Sequence, residues 1–306
     1  MGGCHRRDDF VRLHAVRQFF FARFFWLIPL TLFCIGGCSI EADQPASTAH
    51  HARIATLAPH LTELVFAAGA GDKLVGVSAY SDYPAEALEL PLIGDAFAVD
   101  HEQLAMLNPD LLLAWQGGTP AHVVDELRHF GYNVEVIQIR KIADVADALR
   151  RIGELTDSVD TAIDVASKYT QGLQAFEQRY ADAGDVRVFY QVDKRPLYTI
   201  NDQHYVSELI DLCGGSNVFS DLDGLAPTVS VEAVVERDPE AMFASSDAGD
   251  GAFDQWNRWP HIAANRYKNR FLMPADEIGR ATPRLLIAAK AVCNALQVAR
   301  ANRDSA

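Results

Sequence analysis

From Arg53 onward, short apolar runs alternate with stretches whose apolar positions recur every three or four residues. That alternation predicts strands followed by helices, the plan of parallel α/β layers. In the first half, residues 54–57, 74–77, 111–114 and 134–137 read as strands, with helices over Leu61 to Ala68, Glu102 to Leu107 and Ala121 to Phe130. In the second half, Val186 to Tyr190, Ala241 to Ala244 and Phe271 to Met273 read as strands. Helices there are expected over Val206 to Leu212, Glu232 to Glu236 and Pro283 to Val298. Between the halves, Ile163, Ala166, Tyr169, Leu173, Phe176 and Tyr180 fall on one helical face with no proline among them. At 1.5 Å per residue such a helix is roughly 35 Å long, enough to run beside both halves. The expected fold class is α/β: two α/β sandwich lobes, residues 53–157 and 183–306, joined by one long backbone helix over 158–182. The ligand cleft is placed between the lobes, and a stiff connection of this kind predicts small lobe movements.

One pattern occurs twice, 130 residues apart. Asp100-His101-Glu102 leads through Asn108-Pro109-Asp110 to the apolar run Leu111 to Trp115. Ser230-Val231-Glu232 leads through Asp238-Pro239-Glu240 to Ala241 to Ser245. In each copy a capping residue precedes a glutamate by two positions, a two-turn helix follows, proline stops it and a strand begins. Two similar lobes would then each present one glutamate, a layout suited to docking on a two-fold symmetric partner. The same glutamates also suit the positive end of a helix dipole, with no partner required.

The N-terminus has a different pattern. Arg6, Arg7, Arg12, Arg17 and Arg23 precede a continuous apolar stretch over 24–34, broken only by Thr31, which ends in Ile35-Gly36-Gly37-Cys38. A basic region, a short apolar core and small residues read as an export signal, too short for a comfortable membrane span. Residues 1–37 are therefore expected to be a lipoprotein signal peptide, with Cys38 acylated, and residues 38–52 a flexible tether. An uncleaved signal anchor is the alternative. The chain would be exported and held by lipid at the periplasmic face of a membrane. Residues 1–37 carry a net +3, so the remainder must carry −17 to give the overall −14. Such an acidic surface excludes nucleic acid as the main partner. Of the five cysteines, Cys213 and Cys293 remain once Cys4, Cys34 and Cys38 are set aside. In an oxidising compartment they either form a bridge or sit as two buried thiols.

With these residues in view, the chain from Arg53 to Val298 resembles the vitamin B12 (cobalamin)-binding proteins of ABC importers. The resemblance rests on Leu57 to Leu64, Tyr80-Ser81-Asp82-Tyr83-Pro84, Ala114-Trp115-Gln116-Gly117-Gly118, Cys213 to Phe219, Arg280 to Arg284 and Cys293 to Leu296. It implies a solute-binding protein, not an enzyme, with cobalamin or another corrinoid as transported ligand and with neither a resident cofactor nor a protein metal site. Its partners would be an ABC permease dimer with its ATPase subunits. Glu102 and Glu232 match the family's permease-docking glutamates, and Cys213 and Cys293 match its disulfide. Tyr80, Trp115 and Tyr198 match aromatic ligand contacts. Asp276, Glu277, Ile278, Gly279 and Arg280 match a ligand-touching loop of the second lobe. The sequence departs from the family where cleft-rim tryptophans are expected: it has Ala96, with Phe97 beside it, and Ala226. A variant corrinoid, or compensation by Trp256 and Trp259, would answer that loss.

A haem, siderophore or metal-ion binder on the same fold is the nearest rival, with His60 and Tyr80 as candidate iron ligands. A secreted hydrolase is the more distant one, since no nucleophile elbow, phosphate loop or His-Glu-x-x-His occurs.

Overall fold

The computed structural model describes residues 53–95 and 97–306. The expected signal peptide, tether, acylated Cys38 and the rim residue Ala96 lie outside the described residues. Among those described, no helix is long and apolar enough to cross a membrane.

The first lobe runs β1 (Ile54–Thr56), α1 (Pro59–Ala67), β2 (Leu74–Gly76), α2 (His101–Leu107), β3 (Leu111–Trp115), α3 (Ala121–His129), β4 (Val134–Ile137) and α4 (Asp144–Thr156). Helix α5 (Val159–Tyr180) follows. The second lobe runs β5 (Arg187–Gln191), the hairpin β6 (Asp193–Lys194) and β7 (Leu197–Tyr198), α6 (Tyr205–Leu212), β8 (Ser216–Asn217), α7 (Val231–Arg237), β9 (Ala241–Ser245), α8 (Ala263–Arg266), β10 (Arg270–Met273), α9 (Ala275–Gly279) and α10 (Leu285–Asp304). The two main sheets are parallel, in the orders β2-β1-β3-β4 and β8-β5-β9-β10. Counted within its own lobe, each sheet therefore has the strand order 2-1-3-4.

The repeated pattern is a repeated structure. Asp100 accepts from the Gln103 amide and Ser230 from the Ala233 amide, capping α2 and α7. Both helices end one residue before the proline, on Asn108 and Asp238, whose φ of 43° places each in the left-handed region. Sequence reasoning credited the prolines with the stop; the left-handed turn ends the helix first, and the proline follows it. Each strand pair also begins on the same latch. The Arg53 amide donates to the Asp110 carboxylate at 3.0 Å, and the Arg187 amide donates to Glu240 at 3.1 Å.

Strand periodicity divides the core. Leu111 and Leu113 of β3 join one cluster, while Leu112 and Ala114 join another. In the second lobe Val188, Tyr190 and Phe243 face the first cluster, whereas Phe189, Met242 and Ala244 face a third. The first cluster is continuous from Ile54 and Leu64 through Ala162, Ala166 and Tyr169 of α5 to Leu209, Leu285 and Leu296. The long helix thus contributes to one core that spans both lobes. It packs against α4 and α10, and at Gly172 the approach is so close that a Cβ would stand 2.6 Å from Leu286. Helix α4 is absent from the sequence-predicted elements, although its apolar residues Val145, Leu149 and Ile152 are buried at helical spacing. The Cys213 and Cys293 sulfurs are bonded at 2.02 Å, tying α6 to α10.

Candidate functional site

The cleft lies at the carboxyl ends of the strands, where open parallel sheets place their ligands. A cavity of about 500 Å³ opens between the lobes. Its first-lobe wall is built from the residues that leave each strand: Leu57 to His60 after β1, Ser78 to Tyr80 after β2, Trp115 at the end of β3 and Ile139 after β4. From the second lobe come His204, Tyr205 and Gly279 to Ala281. A second cavity of about 640 Å³ shares Trp115, Ile139, His204 and Tyr205 with the first and adds Gln116, Gln138, Arg140, Gln203, Leu225 and Ala226. The two form one continuous groove with apolar and aromatic walls and amide groups at one end.

Tyr80 is 82% exposed and lines this groove. Its φ of 66° is left-handed, unusual for a bulky residue, so the loop must hold it there. The supports are visible: the buried hydroxyls of Thr56, Thr62, Ser81 and Ser78 form a chain at 2.7, 3.0 and 3.3 Å. Arg280 also donates to the Tyr80 carbonyl at 3.3 Å. Trp115 is half-buried and stacks edge-on against His60 at 4.9 Å. It therefore serves core and cleft together. Gly118 is required beside it, because a Cβ there would fall 2.2 Å from the indole.

Arg280 does more than pair with Asp276. It crosses from the second lobe to Glu63 at 2.9 Å and to Asp82 at 2.6 Å, while holding Asp276 at 3.1 Å. Arg284 joins Glu63 at 3.2 Å and Glu277 at 2.6 Å, and its guanidinium lies 4.1 Å from the Tyr83 ring centroid. Burial opposes the charge on Arg280, but its bonds to Asp82 and Glu63 outweigh this and hold its pKa above the ordinary value. The hydrogen bond from Arg280 likewise keeps Asp82 below the usual carboxylate range.

His60 is buried, and its Nε2 has no hydrogen-bond partner among the described residues. Burial, and then the charge of Arg280, lower its pKa to about 4. Between pH 6.5 and about 4 the unfolded chain therefore binds a proton at His60 that the folded chain refuses, so stability rises with pH across that window. Acidifying from 6.5 to 4 is expected to cost up to about 3 kcal/mol through this group. Urea unfolding at a series of pH values should show that slope, reduced in His60→Asn.

The sequence-predicted contacts separate. Tyr80, Trp115, Gly279 and Arg280 meet at the cleft. Asp276 and Glu277 hold the arginines, Ile278 is buried, and Tyr198 lies on the β6–β7 hairpin outside both cavities. The segment expected as a loop over 276–280 is largely the short helix α9. Trp256 and Trp259 do not compensate for the missing rim aromatics. Trp256 is fully buried with its Nε1 donating to Gln191 at 2.8 Å, and the Trp259 ring lies tilted beside it at 6.0 Å. Phe97, 72% exposed, lines the first cavity instead. His204 and Tyr205 were missed; the only signal was a polar residue at the helix boundary after Asn201-Asp202. Glu102 and Glu232 are both exposed, with no hydrogen bond or ion pair among the described residues. Those residues contain no group of three or more His, Cys, Asp or Glu arranged to hold a metal ion.

Comparison with known proteins places this architecture. A family model described as periplasmic binding protein matches residues 54–277. The vitamin B12-binding protein of Vibrio cholerae serotype O1 is 36% identical over 248 residues, covering 81% of this chain and 90% of that protein. The crystal structure of the periplasmic vitamin B12-binding protein BtuF of Vibrio cholerae superposes with a TM-score of 0.76 at 34% identity, over 82% of this chain and 98% of that one. The periplasmic heme-binding protein HutB of Vibrio cholerae superposes at 0.71 with 22% identity, over 80% and 99%, which shows a shared fold. With the parallel sheets, the single long helix and the cleft between lobes, these matches establish that the chain belongs to the periplasmic binding protein family, a family of solute carriers rather than enzymes.

Proposed function

We propose that this protein captures cobalamin or a related corrinoid in its inter-lobe cleft and delivers it to an ABC permease dimer with ATPase subunits. In this reading residues 1–37 are a signal peptide, residues 38–52 a tether, and Cys38 carries lipid that anchors the protein at the periplasmic face. The carrying observation is the groove itself, walled by Tyr80, Phe97, Trp115 and Tyr205 with amides at one end. A corrin is a broad ring with amide arms and a metal saturated by its own ligands, so it needs this mixture and no strong protein ligand. Likeness to the vitamin B12-binding proteins supports the same cargo. Tyr80, Trp115, Gly279 and Arg280 are assigned to the ligand wall, with Asp276, Glu277 and Ile278 behind it and Tyr198 at the periphery. Cyanocobalamin or haemin added to purified protein, followed by desalting and a visible spectrum, tests the cargo. Retention of haemin alone would refute it.

Docking is assigned to Glu102 and Glu232, exposed on equivalent helices of the two lobes. Glu102→Lys with Glu232→Lys is expected to leave corrinoid affinity within about twofold while impairing uptake, since these rim charges act on encounter with cationic permease groups. Isothermal titration paired with an uptake assay separates the two effects; loss of ligand binding would count against the assignment.

A further inference from the structure

His204 is a wall of both cavities, at the point where they join. It caps α6: its Nδ1 accepts from the Val206 amide at 3.2 Å. Its ring is stacked on Tyr205 at 4.7 Å and 30°, and the Tyr205 hydroxyl donates to the Ile278 carbonyl at 3.0 Å, so the imidazole is held from two sides. Burial lowers its pKa to about 4, which keeps it neutral at pH 7. A neutral imidazole that accepts on Nδ1 carries its proton on Nε2. That Nε2–H has no partner among the described residues.

We propose that His204 is a cargo-binding residue whose Nε2–H donates a hydrogen bond to an oxygen acceptor on the bound molecule, and that it does not serve as a metal ligand. The proposal rests on the corrinoid reading of the cleft. Serving as a metal ligand would require Nε2 to give up its proton and Nδ1 to take one, which would break the cap on Val206. The donor therefore suits a cargo with amide or phosphate oxygens and a metal that brings its own axial ligands. An imidazole fixed in the opposite sense would suit an iron with an open site.

The test is titration of the full-length protein and three variants with cyanocobalamin and with dicyanocobinamide, which lacks the nucleotide loop and its phosphate. His204→Ala is expected to bind about tenfold more weakly, the loss of one hydrogen bond. Because alanine also removes the cap, His204→Asp and His204→Asn serve as controls that still cap α6. Aspartate offers only an acceptor and should bind as weakly as alanine, whereas asparagine keeps a donor and should stay nearer the parent. A loss of the same size with both ligands assigns the acceptor to a ring amide, and a loss confined to cobalamin assigns it to the phosphate. A folded His204→Asp variant binding both corrinoids within twofold of the parent overturns the proposal. So does an imidazole-ligated spectrum that the parent, but not His204→Ala, gives with aquocobalamin. If the parent binds neither corrinoid, the reading of the cargo fails and this inference with it.

Discussion

Arg280→Met combined with Arg284→Met is expected to lower the unfolding free energy by about 3–5 kcal/mol, the effect of stranding a buried charge. Glu63 stands on α1 with its side chain only 3% exposed, and its Oε1 accepts from both guanidiniums, at 2.9 and 3.2 Å. Its Oε2 is buried without a partner among the described residues. With both cations gone, the carboxylate must take a proton or draw water into the seam between lobes. Asp82, about half exposed, keeps solvent and suffers less. Adding Glu63→Leu to the double variant should recover much of the loss, because the stranded charge disappears with it. Urea unfolding followed by tryptophan fluorescence measures all three proteins. A double variant that unfolds at the parent's midpoint would show that the cluster contributes nothing to holding the lobes together.

Removing the disulfide should cost a similar amount. Cys213 and Cys293 are fully buried and 80 residues apart, so the bridge closes a long loop across the second lobe. Replacing both by alanine is expected to lower stability by about 2–5 kcal/mol, chiefly by freeing the unfolded chain. Alanine is the suitable replacement, because serine would bury two hydroxyls in an apolar cluster. Chemical denaturation of the Cys213→Ala, Cys293→Ala protein against the oxidised parent gives the difference directly. Equal stability would mean that the unfolded chain gains little freedom when the bridge is removed, as it would if residues 213 and 293 stayed close in that state.

The strands were legible because parallel sheets bury both faces, so Leu111 to Ala114 and Ala241 to Ala244 appear as unbroken apolar runs. Helix α5 was legible through its 3.6-residue period, and α2 and α7 through their caps. Helix α4 carries the same signal, with Val145, Leu149 and Ile152 at helical spacing beneath a charged outer face, and nothing in the sequence hid it. The hairpin β6–β7 and strand β8 are two-residue pairings that no periodicity can reveal. At the cleft, motif likeness placed Tyr80 and Trp115 on the wall. It could not foretell that Arg280 spends its donors on Glu63 and Asp82, because that depends on residues some 200 positions apart meeting in space. His204 escaped for a different reason: its bond to Val206 is local, but the sequence shows neither which ring nitrogen that bond occupies nor that the ring lines the cleft.

The apolar cluster that runs unbroken through α5 has a thermal corollary. Each lobe also keeps a cluster of its own, but the shared one couples them, so calorimetry should record one endotherm with equal calorimetric and van't Hoff enthalpies. A protease cut inside that helix should then loosen both lobes together, since each packs part of the shared cluster on it.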